Sequence, residues 1–149
     1  MAGCRAAIKS VQVSCDAATK LNYERIRLGG NFDTLITNLR FISSLRKEKK
    51  IGEFIISRVV NSMNFVEMKD FINLGLELGC DQIYFSRIGN WGTMKDAEYK
   101  SLAVHLPGHK RHLEFRKGLE DQIFNHPSVF LGNMKRYQRK KVLRNSLFS

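Results

Sequence analysis

Residues Val13–Gly30 read VSCDAATKLNYERIRLGG. Just ahead of them, Ile8-Lys9-Ser10-Val11-Gln12-Val13 alternates apolar with polar side chains, the period of a β-strand. That strand runs out into Ser14 and Asp16, then a polar loop, then the pair Gly29-Gly30. A strand ending on a hydroxyl and a carboxylate places chemistry at its carboxyl end, where ligands gather in parallel sheets and barrels.

Beyond Gly30 the chain has the periodicity such a sheet requires. Phe32, Leu35, Ile36, Leu39, Ile42 and Leu45 recur at helical spacing, so Asn31 to about Arg46 is an amphipathic helix with Asn31 as its cap. Arg46, Lys47, Lys49 and Lys50 suit the negative end of its dipole, and Gly52 closes the segment. Glu53–Val60 is a second strand whose apolar pairs predict burial on both faces. A second helix runs from about Phe65 to Leu78, capped by Asn64 and stopped by Gly79. Asp81–Ser86 is a third strand. Strand, helix, strand, helix, strand specifies parallel pairing through right-handed crossovers. Beyond Trp91 the pattern predicts a short helix over Asp96–Val104, a turn at Leu106-Pro107-Gly108 and a helix from Lys110 to Asn125, closed by Pro127. The last sixteen residues, MKRYQRKKVLRNSLFS, read as a frayed helix or a disordered basic tail. Three parallel strands leave two unpaired edges and incomplete cover, so the chain is expected to be a piece of something larger.

With 149 residues, 43% of them hydrophobic, the chain suits one core. Its net charge of +11 is uneven: residues 1–100 hold 15 basic against 11 acidic side chains, and residues 101–149 hold 10 against 3. The basic end is expected to be a solvated surface first and an attractor of nucleic acid or anionic lipid second. No apolar run approaches the roughly 20 residues of a membrane span, and Arg5 and Lys9 interrupt any signal-like N-terminus. Cys4, Cys15 and Cys80 are odd in number and far apart, against a disulfide framework or a metal motif, so the expected setting is a reducing cytoplasm with buried thiols.

The strand ends carry the candidate chemistry. The first supplies Ser14 and Asp16, the second Asn61, Ser62 and Asn64, the third Ser86, Arg87, Asn90 and Trp91. A carboxylate such as Asp16 can accept from ribose hydroxyls; Ser14 and Arg27 can hold a carboxylate or phosphate. Phe85, Ile88 and Trp91 offer an apolar wall for a planar base. Ordinary loop polarity explains the same residues without a ligand. Gly29-Gly30 fits neither phosphate-loop pattern. His105, His109 and His112 have helical metal-ligand spacing, yet Pro107-Gly108 interrupts the helix, so they are expected to face solvent or nucleic acid.

The segment VSCDAATKLNYERIRLGGNFDTLITNL (13–39) resembles the fourth-strand region of radical SAM enzymes, where VSIDG/A-A-T, a tyrosine, I-R-x-G-G and a subsequent F-x-x-L recur. FIISRVVNSMNFVEM is similar to that family's fifth strand and its asparagine, and LGLELGCDQIYFSRIGNWG to its sixth. The stretch after Trp91 is similar, more weakly, to members with a SPASM or twitch extension. The resemblance implies an α/β fold, a parallel βαβαβ portion of a partial (β/α)6 TIM-like barrel over residues 1–92, a helical extension over 93–133 and a basic tail over 134–149. It implies S-adenosylmethionine held against a [4Fe–4S] cluster, whose reductive cleavage yields a radical that abstracts hydrogen. By matching position, Ser14 and Asp16 would contact its methionine or ribose portion and Arg27 its carboxylate, while Asn64 would line the cavity and Phe85 would lie near adenine; Cys15 would be a core side chain. The family's Cys-x3-Cys-x2-Cys run and Gly-Gly-Glu-type motif do not occur in this chain.

The expected function is therefore a truncated or split C-terminal segment of a radical SAM enzyme that modifies a peptide or small metabolite, inactive alone, its partner a missing N-terminal half-barrel. Two alternatives stand behind it. One is a pseudoenzyme subunit completing a partner's barrel. The other is a basic module binding RNA or another polyanion through Lys135, Arg136, Arg139, Lys140, Lys141 and Arg144, with Tyr137 stacking on a base.

Overall fold

The computed structural model describes residues 7–139. Four strands, β1 (Ile8–Ser14), β2 (Ile51–Val60), β3 (Gln82–Arg87) and β4 (Val129–Phe130), form one sheet in that order, each neighbouring pair parallel. The chain is thus mixed α/β with a parallel sheet, as the periodicity predicts. The fourth strand is not predicted: two residues are too few to show a period, and it forms because Val129 and Phe130 pair with Ile83 and Tyr84.

The helices are α1 (Lys20–Ile26), α2 (Phe32–Lys47), α3 (Met68–Glu77), α4 (Asp96–Leu102) and α5 (His112–Gly118). α1 lies where the sequence predicts only a polar loop; its seven residues bury no side chain, so it has no apolar stripe to announce it. Asn31 caps α2 as expected, its Oδ1 accepting from the Thr34 N–H at 3.0 Å. Lys49, at φ 59°, turns the chain after α2. Gly52 does not end the segment; it belongs to β2, where a Cβ would stand 2.5 Å from the Lys9 carbonyl oxygen. The predicted Phe65–Leu78 helix opens with a 3₁₀ turn over Phe65–Glu67 before α3 begins. The predicted Lys110–Asn125 helix is broken: α5 ends at Gly118, and a separate 3₁₀ turn over Gln122–Asn125 is capped by Asp121, which accepts from the Ile123 N–H.

The apolar residues of α2, α3 and α5 pack on a single face of the sheet. Phe54, Ile56 and Val60 of β2 and Ile83 and Phe85 of β3 are buried with Leu39, Phe71, Ile72 and Phe115. α3 comes especially close, because a Cβ on Gly75 would lie 2.5 Å from side-chain carbons of Ile83. Arg46 at the end of α2 clamps Asp81 through two hydrogen bonds of 2.9 and 3.0 Å, and Asp81 also accepts from the Phe54 N–H at 2.7 Å. That arginine holds the Asp81 carboxyl below its usual pKa.

Among the described residues no helix packs on the opposite face. Burial of β2 on both faces, expected from its apolar pairs, is found in part: Phe54, Ile56 and Val60 are covered on one face, and on the other Ile51 and Ser57 are buried while Val59 is 46% and, on β3, Tyr84 is 37% exposed. At the start of the expected tail, Met134 is wholly buried and 132–137 form a 3₁₀ turn on the same core. The remainder of the expected tail, with Lys140, Lys141 and Arg144, lies outside the described residues. Among the described residues no helix is long and apolar enough to cross a membrane.

Phe85 sits at the centre of this packing, its ring 5.4 Å from that of Phe71 and 6.3 Å from that of Phe124. Phe85→Ala is expected to cost about 3 to 5 kcal/mol, read as a lowered urea midpoint at unchanged slope.

Candidate functional site

All four strands point their carboxyl ends the same way, so the loops after β1, β2 and β3 share one end of the sheet. Ser14 and Ser57 are register partners on the uncovered face, with their Oγ atoms 3.2 Å apart, and Gln12 Nε2 donates to Ser57 Oγ at 3.1 Å. Just beyond, α1 carries the chain out and back so that Arg27, the residue after it, returns over the end of β1. Its Nε donates to Asp16 Oδ2 at 2.5 Å, with side-chain exposures of 55% and 29%. The carboxylate raises the Arg27 pKa. Asp16 and Arg27 are thus paired over the strand end, while the Ser14 hydroxyl faces Ser57.

Asn64 and Phe85 are not part of that group. Asn64 is 1% exposed, and its amide is fully used: Nδ2 donates to the Asp16 and Val59 carbonyls at 3.1 and 2.9 Å, and Oδ1 accepts from the Asn61 N–H at 2.9 Å. It therefore ties the β1 and β2 loops together, neither lining a cavity nor capping the 3₁₀ turn after it. Phe85 has no exposed surface because alternation along β3 turns its ring to the helices, away from any adenine at the strand ends. Trp91, placed with it in an apolar wall, is instead 91% exposed in the loop after β3.

Two residues that periodicity does not single out hold the loop in place. Glu67 accepts from the Ala18 N–H at 3.2 Å and from the Thr19 hydroxyl, fixing the β1–α1 connection to the start of α3. Arg58, 1% exposed, lies beneath both loops, its Nε and Nη1 each 3.4 Å from the carbonyls of Cys15 and Glu67 and its guanidinium 4.2 Å from the Phe71 ring centroid. Burial pulls the Arg58 pKa down to about 10, against the opposing field of Glu67, and its Nη2 finds no partner among the described residues. The one sequence signal for Arg58 is a cation on the apolar alternate of a strand, between Ile56 and Val60.

The histidines behave differently from expectation. His105 and His112 are buried, at 1% and 7% exposure, not turned to solvent or nucleic acid. His112 Nδ1 lies 3.0 Å from the Val104 carbonyl, His105 Nε2 lies 3.3 Å from the Tyr99 hydroxyl, and His109 Nε2 lies 3.0 Å from the Ser101 carbonyl. Tyr137, half-buried, packs on the same cluster, 5.8 Å from Phe115 and 5.9 Å from His105. No group of three His, Cys, Asp or Glu suited to a metal occurs among the described residues. Cys15 and Cys80 are buried, and burial pushes their thiols up to about 11 and about 12.

No protein family, curated protein or solved structure matches this chain. The arrangement itself offers the Ser14 hydroxyl and an oppositely charged pair, Arg27 exposed and Asp16 half-buried, at the end of the sheet. Such a set suits a small zwitterionic or hydroxyl-bearing ligand, the carboxylate facing Arg27 and hydroxyls or ammonium facing Asp16.

Two outcomes test the supporting structure. Glu67→Ala removes the acceptor that holds the Ala18 N–H and the Thr19 hydroxyl and weakens the favourable field at buried Arg58, with an expected loss of about 1 to 3 kcal/mol; Glu67→Gln, which keeps an acceptor, is expected to lose less in the same urea titration. Burial holds the His105 pKa down at about 4. The unfolded chain therefore binds the extra proton first, so this stability is complete above the unfolded pKa of about 6.5 and lost as pH falls towards 4. Thermal midpoints recorded from pH 7 to 4 are expected to fall less steeply for His105→Gln than for the parent.

Proposed function

We propose that this chain supplies the C-terminal strands of a partial (β/α) barrel of the radical SAM type and contributes part of an S-adenosylmethionine site. One observation carries the reading: four parallel strands in sequential order, with the helices packed on one face and, among the described residues, no helix on a second face of mixed polar and apolar side chains. A doubly wound sheet would have helices on both faces, whereas a barrel keeps them outside and turns the other face inward. The seven-residue outer edge of β1 has no strand beside it among the described residues and is where further strands would add. An N-terminal half, in the same polypeptide or as a separate chain, is the partner of this reading.

The residues present fit part of the cofactor set. Arg27 would hold the carboxylate of S-adenosylmethionine, Asp16 its ribose hydroxyls or ammonium, and Ser14 and Ser57 would orient it on the sheet face. Asn64 and Glu67 keep these groups in place from behind. S-adenosylmethionine bound in such a site supplies a sulfonium whose carbon–sulfur bond can be broken. The [4Fe–4S] cluster does not fit the described residues: the Cys15 and Cys80 thiols are buried and held protonated, and ligation needs the thiolate. Cluster ligands would come from the partner half, and the modified substrate, peptide or small metabolite, would meet the site across the open face.

Equilibrium dialysis with labelled S-adenosylmethionine tests the reading. Saturable binding is expected, weakened roughly tenfold by Arg27→Ala through loss of a charge-assisted hydrogen bond, and also by Asp16→Asn. Absence of binding, or binding indifferent to both substitutions, would overturn it. Anaerobic reconstitution of the chain alone with iron and sulfide is expected to give no iron–sulfur absorption.

A further inference from the structure

Beyond the strand-end site, the uncovered face carries a second, chemically different feature. Tyr84 and Phe130 are register partners on β3 and β4 and are 37% and 43% exposed. Adjacent strands stand about 4.8 Å apart, so two aromatic rings stand side by side on a face no helix covers. The Tyr84 hydroxyl end rests against Gly132: a Cβ there would fall 2.6 Å from the oxygen. This close approach fixes one ring of the pair against the 3₁₀ turn.

The same rings border a trough of about 560 Å³ that Lys135 and Gln138 also line. Lys135 and Gln138 continue into a neighbouring groove of about 850 Å³ with Arg136 and Arg139 on its wall. Arg139 is paired with Glu120 at 3.4 Å, whereas Lys135 and Arg136 have no carboxylate within ion-pair distance among the described residues. Both are exposed. The aromatic pair thus opens onto a cationic track in the most basic third of the chain.

We propose that this trough binds a single-stranded nucleic acid, with bases on Tyr84 and Phe130 and phosphates along Lys135, Arg136 and Arg139. Exposed aromatics on an open sheet face beside a positive groove are what unpaired bases require, and a duplex hides its base faces from such rings. Charge complementarity favours a polyanion, and the paired rings favour one with flat faces over a lipid surface. This inference is independent of the S-adenosylmethionine reading, since it uses none of Ser14, Asp16 or Arg27.

Fluorescence anisotropy of the full chain with a labelled ten-nucleotide oligo(U) tests it. Saturable binding is expected, weakening as salt rises, and Tyr84→Ala and Phe130→Ala are each expected to weaken it by roughly fivefold or more. Tyr84→Phe, which keeps the ring, retains affinity. Lys135→Gln and Arg136→Gln, both at exposed positions, each lower the slope of log K against log salt by roughly 0.7; they keep the test valid if an alanine variant fails to fold. A blunt duplex or heparin bound as tightly as the single strand, alanine variants that fold but bind unchanged, or stronger binding to anionic phospholipid vesicles would each overturn the proposal.

Discussion

Arg58 brings a positive charge into the most enclosed part of the protein, and the loops at the strand ends are arranged around it. Its guanidinium touches backbone carbonyls from the β1 and β2 loops and the face of Phe71, while Glu67 supplies the opposing field. Glu67 in turn holds the Ala18 amide and Thr19 hydroxyl, and Asn64 holds the carbonyl of Asp16. The cost of desolvating an arginine is offset only if such partners stay in place. Cation and loops are therefore mutually dependent, and the position of Asp16 under Arg27 is inherited from that dependence.

The second constraint is the one-sidedness of the sheet. Alternation sends Phe54, Ile56, Ile83 and Phe85 to the helices and Ile55, Ser57, Val59, Gln82 and Tyr84 to the other face. Polar side chains there satisfy each other across strands, Gln12 with Ser57 and Gln82 with Glu53 at 2.5 Å. A face furnished in this way can border a ligand or water. Two ligand chemistries then separate along it: the hydroxyl and ion-pair group at the end of β1, the aromatic and cationic group beside β4.

Much of the scaffold is legible in the sequence because long apolar periods report it. α2 and the three longer strands are visible in spacing alone, and the pairing of Asp16 with Arg27 rests on one strand end and one returning loop. The rest depends on information no period carries. α1 buries nothing, and β4 is two residues long. Phe85, Asn64, His105 and Tyr137 are residue types that serve a ligand or a core equally well, and only tertiary placement decides between them. Arg58 violates the alternation rule, and such a violation is itself a signal, since a cation at an apolar alternate must be provided with partners.

The sequential strand order also bears on how the chain reaches this state. Ser14 must find Ser57, 43 positions away, and Ile55 must find Gln82. Every pairing in the sheet therefore closes a long loop before any ladder bond forms. The sixteen-residue α2 needs only local contacts and forms readily by comparison. Assembly is thus expected to be limited by the search between strands, with the helix already present as the element that shortens the loop. Because no strand is inserted between two earlier ones, each new strand–helix unit can dock on the preceding one as the chain emerges during synthesis.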